Sequence, residues 1–142
     1  MSGRFGVDTV VYFADVSGGM LATEQVTRTN GASGFGSRVR SQRSLHLKLP
    51  VQSTVVTVLY PVKKDQPTPR FEKEADGVVK IESDFGTDSV FLGLTPFDFR
   101  EGEVAFHGKA GAVQWRPAGP ELSLAGFGEL RCQNRVLTHA SP

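Results

Sequence analysis

The sequence predicts an all-β protein, an antiparallel β-sandwich of jelly-roll-like or related two-sheet-roll type. Three observations predict it. Runs rich in Val, Thr, Phe and Tyr recur along the chain, and these side chains suit a pleated surface. Gly, Pro, Asp and Asn punctuate them at short intervals, the pattern of sandwiches and barrels rather than of βαβ units. No window carries a convincing 3.6-residue apolar period.

Taken in order, Asp8 to Ala14 (DTVVYFA) reads as a first strand and Met20 to Thr29 as a second, with a Ser17-Gly18-Gly19 turn between them. Residues Asn30 to Ser37 (NGASGFGS) form a glycine-rich loop. No Gly-Lys-Ser/Thr follows it and no helical pattern opens after it, so it does not match a phosphate-binding loop. From Val39 to Leu49 the odd positions give Val39, Leu45, Leu47 and Leu49, and the even ones Arg40, Gln42, Ser44, His46 and Lys48. Period 2 places the leucines toward a core and the polar set on the opposite face. Thr54 to Tyr60 is apolar at both parities, which suits either a central strand or a strand whose outer face meets another domain.

The prolines of Lys63 to Pro69 mark a loop. Phe71 to Ala75 and Val78 to Ser83 then form a hairpin at Asp76-Gly77, a dipeptide suited to turn positions of positive φ. A turn over Asp84 to Asp88 leads to a strand over Ser89 to Leu94. Further strands are expected at Glu103 to His107, Ala112 to Arg116, Glu121 to Leu124 and Glu129 to Leu137, for ten or eleven in all. A chain of 142 residues without an internal repeat or a composition boundary reads as a single domain spanning 1–142.

Composition bounds the function. The net charge of +1 argues against a general binder of nucleic acid or other polyanions, and no apolar run is long enough to span a bilayer as a helix. The single Cys132 excludes an internal disulfide and reads as a small buried apolar residue. The start, MSGRFGVD, has neither the basic segment nor the apolar segment of a signal peptide, so the chain reads either as a cytoplasmic protein or as a domain excised from a larger one with an added start Met.

Charge is unevenly placed. From Gln25 to Lys64 there is no acidic residue but Arg28, Arg38, Arg40, Arg43, Lys48, Lys63 and Lys64; from Asp65 to Glu103 acidic residues dominate. Arg38, Arg40, Arg43, His46 and Lys48 are therefore candidates for an anion-binding face, because guanidinium forks match carboxylate and sulfate oxygens. The plainer alternative is that this basic strand pairs with the acidic hairpins of the same sheet or is a solvated face. Trp115, the only tryptophan, is either a sugar-stacking platform or a core aromatic. His46, His107 and His139 lack metal-ligand spacing, and Asp84 and Asp88 are more simply turn residues than calcium ligands. There is no G-x-S-x-G nucleophile elbow. No cofactor and no metal is implied.

The run TVVTVLYPVKKDQPTPRFEKEADGVVKIESDFGTDSVFLG, followed by FREGEVAFHGKAGAVQWR, resembles the C-terminal β-region of the heparinase II/III-like polysaccharide lyases. The resemblance rests on Leu59-Tyr60-Pro61, on Gly86, Asp88, Val90 and Phe91, and on Phe106, Gly108, Ala110 and Gly111, and it spans Ser44 to Arg116. It implies a periplasmic or extracellular parent in which a helical toroid and antiparallel β-domains together cleave uronic-acid polysaccharides by β-elimination. The catalytic Tyr, His, Arg and Asn of such lyases find no matching positions on this chain. The expectation is a non-catalytic, carbohydrate-associated accessory domain. It would pack on its catalytic domain through the face of Thr54 to Tyr60 and bind acidic polysaccharide along the basic strand. The alternative is a purely structural assembly domain without a ligand.

Overall fold

The structure, a computed structural model, describes residues 6–14, 16, 19–30, 38–50 and 55–140; for 26–30 and 38–43 it describes the backbone alone. The fold is all-β with antiparallel sheets, and no helix occurs among the described residues. The chain divides into two compact units, Val16–Val55 on one hand and Met1–Asp15 with Val56–Pro142 on the other.

The larger unit contains β1 (Val7–Ala14), β4 (Val56–Lys63) and six strands that follow one another in space as in sequence. These six are β5 (Arg70–Ala75), β6 (Val78–Ser83), β7 (Gly86–Glu101), β8 (Val104–Arg116), β9 (Gly119–Cys132) and β10 (Arg135–His139). Nearest-neighbour hairpins explain this order, because tight turns join antiparallel strands without crossovers. The Asp76-Gly77 hairpin forms as the dipeptide predicts, but only Gly77 has positive φ (74°), and the register shifts between Lys73 and Ala75. A bulge therefore replaces the second positive-φ position.

Three expected interruptions are absent. Ser89 to Leu94 is part of the sixteen-residue β7, which runs through Pro96. The two strands expected around Gly108 to Gly111 are one, β8. The expected break between Leu124 and Glu129 lies inside β9, and the real turn is at Gln133-Asn134. Gly and Pro mark bulges here instead of ends. The register shifts between Leu92 and Phe97 on β7 and between Gly108 and Ala110 on β8, so the irregularities line up across β7, β8 and β9.

This line of bulges bends the sheet and lets its far half pack on its near half. Phe91 stacks on Phe106 with ring centroids 4.6 Å apart, while Phe97 meets Phe106 edge-on at 5.1 Å. Val78, Val104, Val113, Leu130 and Cys132 complete this core. Gly128 (φ 148°) sits opposite Gly108 at the bend, where a Cβ would lie 2.2 Å from the His107 carbonyl oxygen. Only glycine fits that approach. Cys132 is fully buried, as the sequence predicts, and loss of hydration, reinforced by the Glu103 charge, pushes its thiol pKa up.

On the opposite face of the sheet, β1 and β4 pair with each other and pack on β5, β6 and β7. Tyr12 stacks on Phe71 at 5.0 Å, and Val56, Val58 and Tyr60 surround Val79 and Ile81. The alternative parity of β4 points outward, and Leu59 is 67% exposed. From Val56 to Tyr60, the stretch apolar at both parities is thus covered on one side only. Pro61 is accommodated within β4 because a two-stranded ribbon leaves every strand an edge.

The smaller unit is a hairpin of β2 (Met20–Asn30) and β3 (Arg38–Lys48), each eleven residues long. Leu45, assigned to the core by its parity, is 42% exposed here, and Leu47 is half-buried. Alternation specifies which residues share a face, but a two-stranded arm has too little covering structure to bury that face.

Truncating Phe91 to Ala removes both its ring contacts and is expected to destabilise the larger unit by about 3–5 kcal/mol, read as a shift in urea midpoint at unchanged m-value. The Cys132 thiol in the folded protein should react with an aromatic disulfide on the order of a hundredfold or more slowly than in denaturant. Comparable rates would place Cys132 outside the core.

Candidate functional site

The sequence candidates fall into two groups that belong to different units. Arg38, Arg40, Arg43, His46 and Lys48 all lie on β3, whereas Trp115 lies on β8. The side chains of Arg38, Arg40 and Arg43 lie outside the described residues. Their backbone positions pair with Asn30, Arg28 and Gln25 respectively. His46 and Lys48 are exposed, opposite Ala22 and Met20. The His46 Nε2 is 3.3 Å from the Glu24 carboxylate, an ion pair when the imidazole is protonated.

The strand β3 pairs with β2 and not with the acidic hairpins, which corrects one of the two plain readings of its charge. The acidic β5–β6 hairpin is matched by its own cations. Lys73 Nζ is 2.7 Å from Asp76, Lys80 Nζ is 3.0 Å from Glu82, and Arg70 is 3.6 Å from Glu72. Such solvent-exposed pairs contribute little stability. In the smaller unit the formal charges are Arg28, Arg38, Arg40, Arg43 and Lys48 against Glu24, giving 5 − 1 = +4. With +1 for the whole chain, the rest carries 1 − 4 = −3. The arm is a local basic feature that the net charge conceals.

Trp115 is half-buried and packs against the Phe91–Phe106 core. It also lines a groove of about 290 Å³ with Glu74, Lys80, Ser89, Glu101 and Val104. The bend of the sheet creates this groove. Lys80 and Ser89 are register partners on β6 and β7, and Thr87 pairs with Trp115. The folded-over end of β7 and start of β8 then bring Glu101 and Val104 against them. Ser89 is the one buried polar residue among the described residues, at 8% exposure. Glu74 is exposed, yet partial loss of hydration and then the negative charge of Glu101 raise its carboxyl pKa, against the opposing pull of Lys80.

A third feature lies on the far half of the sheet. Asp98, His107 and Glu129 are register partners across β7, β8 and β9, and His107 Nδ1 is 2.9 Å from Asp98. The Glu129 carboxylate accepts a hydrogen bond from Arg131, which lowers its pKa. All three acceptors or donors are open to solvent, and no group of three or more residues placed to hold a metal ion occurs among the described residues. Asp88 is 2.8 Å from the Arg116 guanidinium, whose Nη1 also donates to the Phe85 carbonyl, so both residues tie the β6–β7 turn to β8.

Comparison with family models, with curated proteins and with solved structures finds no match. Sequence reasoning singled out Trp115 but missed Glu74, Lys80, Ser89 and Glu101 as its neighbours. Nothing local marks them, because the bend alone assembles them.

The raised Glu74 pKa has a direct consequence. A carboxyl that binds its proton more tightly when folded contributes stability below its ordinary pKa, and that contribution is lost as pH rises through the folded value. Glu74→Gln should therefore gain melting temperature relative to wild type between about pH 4 and 7. Thermal melts across that interval check it, and a constant difference between the two proteins would mean that Glu74 titrates alike in both states.

Proposed function

We propose that this protein is a non-catalytic, carbohydrate-associated accessory domain whose basic β2–β3 arm binds acidic, uronic-acid polysaccharide. The observation that carries this reading is the arm itself. It is a separate unit with formal charge +4, and Met20 and Leu21 on it are 66% and 58% exposed. A two-stranded ribbon is marginal alone, and a polyanion laid along it supplies both the contacts and the counter-charge it lacks. Arg38, Arg40, Arg43, His46 and Lys48 are the ligand-facing candidates on this reading. The partners are acidic polysaccharide and the catalytic domain of a heparinase II/III-like parent located in the periplasm or outside the cell, with neither nucleic acid nor membrane as a target. The larger unit would then be a two-sheet roll or sandwich, with β1–β4 laid over β5–β7.

A second reading has its own support. On the outer side of β1–β4, Val7, Val11 and Leu59 are exposed together, with Val11 and Leu59 directly paired. An open apolar face of this kind suits packing on a catalytic domain, and a purely structural assembly domain needs nothing more.

Affinity electrophoresis against neutral and uronic-acid polysaccharides, with DNA as a control, separates the two. Retardation by uronic-acid polymers that falls with salt and weakens about tenfold or more in the Arg40→Ala/Lys48→Ala protein is the expected result. No retardation by any polymer would leave the assembly reading in place. Equal retardation by DNA would replace polysaccharide with polyanions in general.

A further inference from the structure

We infer that the free edge of β1 is a self-association site, on which β1 of a second copy of this chain pairs antiparallel about a two-fold axis. The inference concerns the larger unit alone and does not rest on the polysaccharide reading of the arm.

Two observations fix which backbone groups that edge presents. The Lys64 N–H donates to the Gly6 carbonyl at 3.2 Å, one step beyond the pair of Val7 with Lys63 that ends the β1–β4 ladder. Bonded and non-bonded pairs alternate along an antiparallel ladder. The bonded pairs that follow are therefore Asp8 with Val62, Val10 with Tyr60, Tyr12 with Val58 and Ala14 with Val56. Pro61, which has no N–H, sits opposite Thr9 in a non-bonded pair, in keeping with that phase. The N–H and C=O groups of Val7, Thr9, Val11 and Phe13 thus point away from β4, and no strand pairs with them among the described residues. Val7, Thr9 and Val11 are exposed, and Phe13 is half-buried.

Among the described strands of the larger unit, β1 is the free edge that lacks a device against such pairing. Natural edges are blunted by shortness, by charge or by proline. The edge strand β10 has only five residues, with Arg135 and His139 at its ends. At the other edge of that sheet, β5 carries Arg70, Glu72, Lys73 and Glu74. Pro61 and Lys63 stand on the free side of β4. The free positions of β1 are instead Val7, Thr9, Val11 and Phe13, all of types that favour strands. Asp8, the single charge of β1, belongs to the other parity, whose backbone bonds to β4. A second copy fits because the row is self-complementary. Centred on Val10, a two-fold pairing sets Val7 against Phe13 of the second copy and Thr9 against Val11 of the second copy, so every free position finds bonds. Val10 then meets its own counterpart, Asp8 meets Tyr12, and no like charges face each other. Two β1–β4 ribbons become one four-stranded sheet, and added strands are what a two-stranded ribbon needs for stability.

Sedimentation velocity and amide hydrogen exchange across a concentration series test this on the full chain. The expected result is a monomer–dimer equilibrium in which exchange at Val7, Thr9, Val11 and Phe13 slows as concentration rises. Val10 and Tyr12, already bonded to β4, should show no such dependence. Thr9→Pro removes a donor from the free edge but none from the β1–β4 ladder, and Val11→Lys adds a charge of the kind that blunts edges. Each should weaken dimerisation about tenfold or more. Exchange at Val10 and Tyr12 verifies that β1 of both variants stays paired with β4. Leu59→Lys, on the outer face of β4, should leave the dimer intact. A protein that stays monomeric up to about 1 mM would overturn the proposal and leave the edge to a strand of another protein. Loss of the dimer in Leu59→Lys would overturn it in favour of face-to-face packing, and loss in Arg40→Ala/Lys48→Ala would move the contact to the arm. A dimer in which Val7, Thr9, Val11 and Phe13 gain no protection would overturn it as well.

Discussion

The stack of Phe91 on Phe106 is the contact on which the larger unit depends. The two rings belong to neighbouring strands but lie on opposite sides of the line of bulges, so they meet only because the sheet bends there. A flat six-stranded sheet of this sequence would leave Phe97, Phe99 and Phe106 on an open surface. Bending buries them against Phe91, Val78 and Val113, and the gain in apolar burial and ring packing offsets the ladder hydrogen bonds lost at the bulges. Glycine makes the bend possible where the backbones approach most closely, at Gly108 and Gly128. The hydrophobic effect chooses this geometry and glycine permits it.

The same bend builds the groove. Glu101 and Val104 are far along the chain from Glu74 and Lys80, and no hairpin pairs them. They share a wall because the β7–β8 end folds over the near half of the sheet. Core and groove are therefore two sides of one constraint: the rings that fill the bend fix how far the carboxylates stand from Trp115. Phe99 and Val104 belong to both, packing in the core and lining the groove.

Much of this fold was legible in the residues. Antiparallel all-β structure, the Val78–Ser83 strand to the residue, the Asp76-Gly77 hairpin and the burial of Cys132 all follow from period-2 patterning, turn chemistry and side-chain type. The misses share a cause. Pro96 and the Gly108 to Gly111 stretch read locally as punctuation, since a local signal does not say whether a breaker ends a strand or bulges it. That choice is made by packing between residues distant in sequence, here by the aromatic cluster. Leu45 shows the converse failure. Alternation placed it correctly on a face, but whether a face is covered depends on what lies over it, which no local pattern encodes.

Site residues divide along the same line. The basic strand could be read from composition alone, because its charges are consecutive in sequence. The groove could not, because its members are scattered over β5, β6, β7 and β8 and only Trp115 is distinctive by type. Charge separation between the two is the more durable clue. A chain of nearly zero net charge here carries +4 on one unit and −3 on the other. Like charges crowded on one element cost self-repulsion in the absence of a ligand, and a counter-ion of opposite sign removes that cost on binding.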